Sequence, residues 1–273
     1  MTQTSYRALF DLAGKTAVIT GACGILGRCF AAGLAEFGAA VVLVDLDAGA
    51  TEALAAEIAE RHKTRALGIA CDVADPVAVR RMAERVDAFG GCSILLNNAA
   101  TKGDDMDAFF APVESFELAT WREVMAVNLD GMFLVAQAIG GGMARRGSGS
   151  IIQTASIYGM LAPDQRIYEG SEYRGRPINT PAVYSASKAG VIGLTRHLAT
   201  YWAARGVRVN TLTPGGVSSG QNSEFSRRYA ARIPLGRMAE ADDMVGAAVF
   251  LASDASGYVT GQNIVVDGGL SAW

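Results

Sequence analysis

"TAVITGACGILG", residues 16–27, decides the fold. Thr16 to Thr20 form an apolar, β-branched run with no polar face, as a strand covered on both sides should. Gly21, Gly24 and Gly27 follow before a helical pattern begins. Glycine in a strand-to-helix turn allows a tight reversal, close approach of a pyrophosphate, and packing of helix on strand. The helix start then offers free N–H groups and a positive dipole end to phosphate. A glycine triplet also simply makes turns, so the reading depends on its surroundings.

Those surroundings repeat the pattern. "AVVLVD" (40–45), "RALGIA" (65–70), "SILLN" (93–97), "SIIQTA" (150–155), "VRVNTL" (207–212) and "NIVVD" (263–267) read as further strands. Amphipathic stretches lie between them at 48–62, 76–89, 117–145 and 182–205. Strand–helix alternation of this kind implies an α/β fold, a parallel sheet with helices on both faces. No linker or internal repeat divides residues 1–273, so a single domain is expected.

Half of the 273 residues are hydrophobic, 19% are charged, and the formal net charge is -3, which describes an ordinary globular chain. No basic run suggests nucleic acid or an anionic membrane, and no uncharged apolar run approaches the ~20 residues of a spanning helix. The N-terminus lacks a signal pattern, so the expected location is cytoplasmic. Cys23, Cys29, Cys71 and Cys92 show no CxxC spacing and read as small apolar fillers. With only His62 and His197 besides, no metal site is expected.

The second strand ends in Asp45, where a carboxylate would accept hydrogen bonds from adenosine ribose hydroxyls and repel a 2′-phosphate. No Arg or Lys lies in the glycine turn or just after Asp45 to offset that repulsion, which favours NAD over NADP. Further on, "YSASK" sets Tyr184 and Lys188 at i and i+4, on one helical face. A tyrosine with a pKa of ~10 is a poor base. A neighbouring ammonium and a cationic nicotinamide would favour the phenolate. "SASK" (185–188) also matches the Ser-x-x-Lys nucleophile pattern, but its companion Ser-Asp-Asn and Lys-Thr-Gly motifs are absent.

The glycine turn, Asp72–Val73, "NNAA" (97–100), "VNLDG" (127–131), Ser156, "YSASK" and "PGGV" (214–217) stand in the order of the short-chain dehydrogenase/reductase family. The chain resembles its single-domain branch from about residue 12 to "VDGG" at 266–269. That resemblance implies a doubly wound, seven-stranded Rossmann-like sheet. It implies Tyr184 as general base or acid, Lys188 tuning it and holding the nicotinamide ribose, Ser156 on the substrate oxygen, and Asn128 anchoring a water. It implies a dinucleotide held by Gly21, Gly24, Ile25, Leu26, Gly27, Asp45, Asp72, Val73, Asn98, Tyr184, Lys188, Gly215, Val217 and Ser219. Two departures are visible: Gly24 stands one place early, with Ile25 at the usual glycine position, and Ala100 replaces the usual glycine of the "NNAG" motif.

Ser156 and Tyr184 lie 28 positions apart, farther than in most members. The charged stretch at 161–181 is an insertion that must pass beside the substrate site. Arg166, Arg174 or Arg176 would clamp a carboxylate or phosphate, and Tyr158, Tyr168 or Tyr173 would pack on a sugar ring. The alternative is a solvated excursion whose acids and arginines pair among themselves. The polar stretch 218–234 stands where relatives carry a lid, with Gln221, Asn222 and Phe225 as candidate contacts. The expected substrate is a small polar alcohol or ketone: a sugar, polyol, sugar acid or surface-glycan sugar precursor. A 3-oxoacyl-thioester reductase and a non-catalytic cofactor-binding protein are the alternatives. Relatives commonly self-associate as dimers or tetramers, and Ala189, Ile192, Leu194, Leu198 and Trp202 form a candidate apolar face, although a monomer core would look the same.

Overall fold

Strand β1 (Thr16–Thr20) is wholly buried and lies in the interior of the sheet, with parallel neighbours on each side. The computed structural model describes residues 5–173 and 175–273. The other main strands are β2 (Ala40–Asp45), β3 (Ala66–Ala70), β4 (Ile94–Asn97), β5 (Gly149–Thr154), β6 (Val207–Pro214) and β7 (Asn263–Val266). They form one parallel sheet in the order β3-β2-β1-β4-β5-β6-β7. Residues 172–173 and 176–177 form a separate two-residue hairpin.

Alternation within each strand feeds two cores, as side chains with a period of two require. Ala17, Ile19, Val41 and Leu43 meet Phe30 and Leu34 of α1 (Ile25–Glu36), Leu54 and Ile58 of α2 (Ala48–His62), and Val249 and Leu251 near the C-terminus. Val18, Val42, Val44 and Leu95 face the opposite layer, where α3 (Pro76–Phe89) contributes Met82 and Val86. Asp47 and Asp75 cap α2 and α3 by accepting from Ala50 N and Val77 N at 2.9 and 2.7 Å.

The stretch expected as one helix at 117–145 follows the short α4 (Met106–Phe109) and has three parts: α5 (Leu118–Met125), a π turn over Ala126–Gly131, and α6 (Met132–Arg146). This 29-residue unit is the helix among the described residues long and apolar enough to cross a bilayer. Its apolar face is inside the domain: Val135, Ala136, Ile139 and Met143 are buried in the second core. Helix α7 (Ala182–Trp202) does the same, and its Ile192, Leu198 and Trp202 are buried within this chain. The face suggested for self-association is thus largely monomer core. Two shorter helices complete the chain, α8 (Ser223–Ala230) and α9 (Val245–Ala252).

Candidate active site

Strand order reverses between β1 and β4, and a cleft of about 1080 Å³ opens at the carboxyl ends of the strands there. One wall is the glycine turn, and its glycines are needed for different reasons. Gly21 has φ +63, and a Cβ there would meet Ala99 Cα at 2.9 Å. A Cβ on Gly27 would fall 2.1 Å from the Gly21 carbonyl oxygen, so Gly27 lets α1 sit on the turn and does not itself line the cleft. Gly24 precedes α1 with φ -73, and no side chain caps the helix. Ile25 and Leu26 line the cleft, and half-exposed Ile25 explains why the usual glycine position tolerates a side chain.

Asp45 ties this turn to β2. Its carboxylate accepts from Cys23 N and from Leu46 N, both at 2.8 Å. Asn98 donates from Nδ2 to the Thr20 carbonyl at 3.2 Å, and its own N–H reaches the Thr20 hydroxyl at 2.9 Å. Asp72 and Val73 line the cleft beside them, with Asp72 accepting from Ala74 N at 2.8 Å. The opposite wall contains Gly215, Val217 and Ser219, and Gly215 N donates to Val266 O at 2.9 Å. The uncapped helix start, the glycine-rich turn and the acid at the β2 end fit a dinucleotide. One cation lies near the turn without belonging to it: Arg28 Nε donates to Cys23 O at 3.2 Å.

Ser156, Tyr184 and Lys188 line the same cleft. Ser156 lies two residues beyond β5 in an extended conformation (φ -157, ψ 154), and its Oγ accepts from Tyr158 N at 3.3 Å. Lys188 Nζ donates to the Thr154 carbonyl at 3.1 Å and lies 5.9 Å from the Tyr184 ring centroid. Burial lowers the Lys188 pKa to about 8. Burial raises that of Tyr184, and the Ser156 hydroxyl acts in the opposite sense. The nearby Tyr168 phenol acts in the same direction as burial. Asn128 is wholly buried in the π turn and does not line the cleft; its side chain accepts from Thr101 N at 2.8 Å and donates to Thr101 O at 3.2 Å.

The charged segment 161–181 walls part of the cleft, but with other residues than its arginines. Tyr168, Tyr173, Ile178, Asn179 and Thr180 line the cleft. Arg166 points away: its side chain is 84% exposed and makes a bidentate pair with Asp164 at 2.8 and 2.7 Å. Arg176 pairs with Asp107 outside the cleft, and Arg174 lies outside the described residues. The acids reach the 218–234 segment, where Arg228 bonds Glu169 at 3.5 Å and Arg232 bonds Asp164 at 3.5 Å. Glu172 O accepts from Asn222 N at 3.0 Å, and Tyr173 bridges Gln221 through the backbone. The two polar segments are thus one joined wall.

Gln221 and Phe225 line the cleft, whereas Asn222 caps α8 by accepting from Phe225 N at 3.0 Å. "NSEF" carries that N-cap signal in the sequence. Tyr158 lines the cleft as expected. Thr154 at the end of β5 also lines it, as do Lys102, Asp104, Glu123, Asn179, Thr180 and Tyr229, which carry no signal in the sequence because loops and helices distant in sequence deliver them.

A family model described as "Enoyl-(Acyl carrier protein) reductase" matches residues 21–271. The chain is similar to D-threitol dehydrogenase of Mycolicibacterium smegmatis, with 40% identity covering 95% of this chain and 94% of that one. Similarity to galactitol 2-dehydrogenase (L-tagatose-forming) of Cereibacter sphaeroides is 36% over 98% and 99% of the two chains. The fold matches a gluconate 5-dehydrogenase from Burkholderia cenocepacia, solved in complex with NADP and tartrate, with TM-score 0.85 and 36% identity over 97% and 98%.

Proposed function

This chain belongs to the short-chain dehydrogenase/reductase family, and we propose from that premise that it interconverts a secondary alcohol and a ketone on a sugar, polyol or sugar acid, using NAD. It is an oxidoreductase of small polar substrates. The observation that carries the finer reading is the shared cleft: Ser156, Tyr184 and Lys188 border the same cavity as the glycine turn and Asp45.

When bound, the nicotinamide supplies the acceptor for the hydride of the alcohol carbon. The chain's own residues handle the proton and the geometry. Ser156 Oγ hydrogen-bonds the substrate oxygen, and the Tyr184 phenolate oxygen takes the hydroxyl proton as the carbonyl forms. Reduction reverses this, with the neutral phenol as donor. Because burial raises the Tyr184 pKa, oxidation speeds up toward alkaline pH and reduction toward lower pH. Lys188, fixed on Thr154 O, would hold a ribose hydroxyl of the bound dinucleotide beside the phenol. Asn128 acts from behind the cleft, holding Thr101 so that the end of the "NNAA" loop keeps its place.

NAD rests on Asp45 at the ribose position. A second reading, NADP, rests on Arg28 beside the glycine turn. Incubation with NAD or NADP and a panel of polyols, aldoses and aldonic acids, followed by reduced-nicotinamide absorbance, tests the function. Tyr184→Phe is expected to abolish turnover while dinucleotide binding persists. Turnover retained in that variant would refute the assigned proton chemistry.

A further inference from the structure

We propose that the substrate end of the cleft selects an uncharged polyhydroxylated chain over one bearing a carboxylate, through three phenols, Tyr158, Tyr168 and Tyr229, drawn from three separate segments. The inference deepens the oxidoreductase reading and rests on it. Tyr158 follows β5, Tyr168 comes from the charged segment and Tyr229 from α8, and all three border the cavity that holds Ser156 and Tyr184.

The cluster is held rigidly. Tyr168 shares a short hydrogen bond with the Thr180 hydroxyl and donates to the Tyr158 hydroxyl at 3.3 Å. Its ring stacks on Phe225 at 5.9 Å, and Phe225 stacks on Tyr229 at 5.4 Å. Two polar atoms in this wall are unmatched. Tyr229 is 3% exposed and its hydroxyl makes no hydrogen bond of good geometry, with the Tyr158 hydroxyl and Gly216 as its polar neighbours. Asn179 donates from Nδ2 to Phe110 O at 2.7 Å, which leaves its Oδ1 buried and unpaired. Buried polar groups are nearly always paired, and both residues border the cleft, so a ligand that settles against this wall and reaches the two enclosed atoms would complete them.

The unmatched pair is a hydroxyl and an acceptor. A polyol hydroxyl both donates and accepts, and satisfies either. A carboxylate only accepts, so against Asn179 Oδ1 it brings lone pair to lone pair. The surroundings add to the discrimination, because burial pushes up the pKa of Tyr158, Tyr168 and Tyr229 alike. An environment that disfavours phenolates also disfavours a substrate anion. Among the described residues, the arginines that would offset this are engaged by acids: Arg166 and Arg232 by Asp164, Arg176 by Asp107, Arg228 by Glu224. Lys102 borders the cleft but shares its wall with the acids Asp104 and Glu123.

The test compares threitol, xylitol and galactitol with threonate, xylonate and galactonate as matched pairs, using wild type, Tyr168→Phe and Tyr229→Phe. At least one polyol is expected to exceed its aldonate in kcat/KM by about tenfold or more, the scale of one unmatched buried hydrogen-bonding group. Both variants are expected to raise the polyol KM more than they lower kcat, with dinucleotide affinity and Tm near wild type. Aldonates oxidised as well as or better than polyols would overturn the selection and leave the oxidoreductase reading standing. Unchanged polyol kinetics in both variants would overturn the phenol cluster. No oxidation of either class would overturn both readings.

Discussion

Lys188 donates from Nζ to the main-chain oxygen of Thr154 at 3.1 Å, so a cation is hydrogen-bonded to the end of β5 in a place where only 3% of the residue is exposed. The arrangement keeps the amine fixed beside Tyr184 at a cost to the folded state. Its pKa falls from 10.5 to about 8 because the charged form is desolvated.

That cost has a defined pH window. Below the folded value both states hold the proton and the penalty is complete. Between about 8 and 10.5 the folded protein releases the proton while the unfolded chain keeps it, so stability rises with pH across that interval. At ~1.4 kcal/mol per pKa unit the gain is about 3 kcal/mol. Lys188→Met removes the titration and is expected to lose turnover. Urea unfolding at neutral and alkaline pH should show wild type gaining on the variant, and parallel pH dependences would contradict the assignment.

Gly24 and Gly27 should respond differently to alanine. A Cβ on Gly27 meets a backbone carbonyl at 2.1 Å and cannot be accommodated without moving α1. Gly27→Ala is expected to cost about 1–3 kcal/mol, as overpacking does. A Cβ on Gly24 lies 3.3 Å from the Gly21 oxygen at an ordinary φ of -73, so Gly24→Ala should fold normally and weaken dinucleotide binding. Thermal melts with and without NAD check both; a normal Tm for Gly27→Ala would count against the packing argument.

Asp45 combines two duties that one substitution separates. Asp45→Asn keeps one oxygen to accept from Cys23 N, gives up the acceptor facing Leu46 N, and removes the charge opposed to a 2′-phosphate. The expected outcome is a folded protein about 1 kcal/mol less stable, from the one lost hydrogen bond, and a shift of about tenfold in relative kcat/KM toward NADP, equivalent to ~1.4 kcal/mol. If the ratio stays constant, Arg28 rather than Asp45 sets the preference.

Strand positions were legible because seven apolar runs are covered on both faces, and each forms a strand within about two residues of its expected ends. The proposed catalytic pair was legible because Tyr184 and Lys188 share a helix face, and a helix fixes side-chain direction. The charged segment lacks such periodicity. Nothing in "PDQRIYEGSEYRGRP" indicates that Tyr168 turns inward while Arg166 folds back on Asp164. The π turn escaped notice because six residues are too few to reveal a changed period. Tyr229 and Asn179 come to the substrate end only through tertiary contacts.

Parallel pairing orders the events of synthesis. The glycine turn and Asp45 belong to β1 and β2, which can pair as soon as residue 45 leaves the ribosome. Strand β6 pairs with β7 from Thr211↔Asn263 to Pro214↔Val266, so the Gly215 wall has no support until residue 266 emerges. A nascent chain stalled between these points would carry the glycine-turn side of the cavity with its Gly215 wall unbuilt. The growing polypeptide would therefore acquire its two ligand-facing sides more than two hundred codons apart, the second only after nearly everything else has been translated.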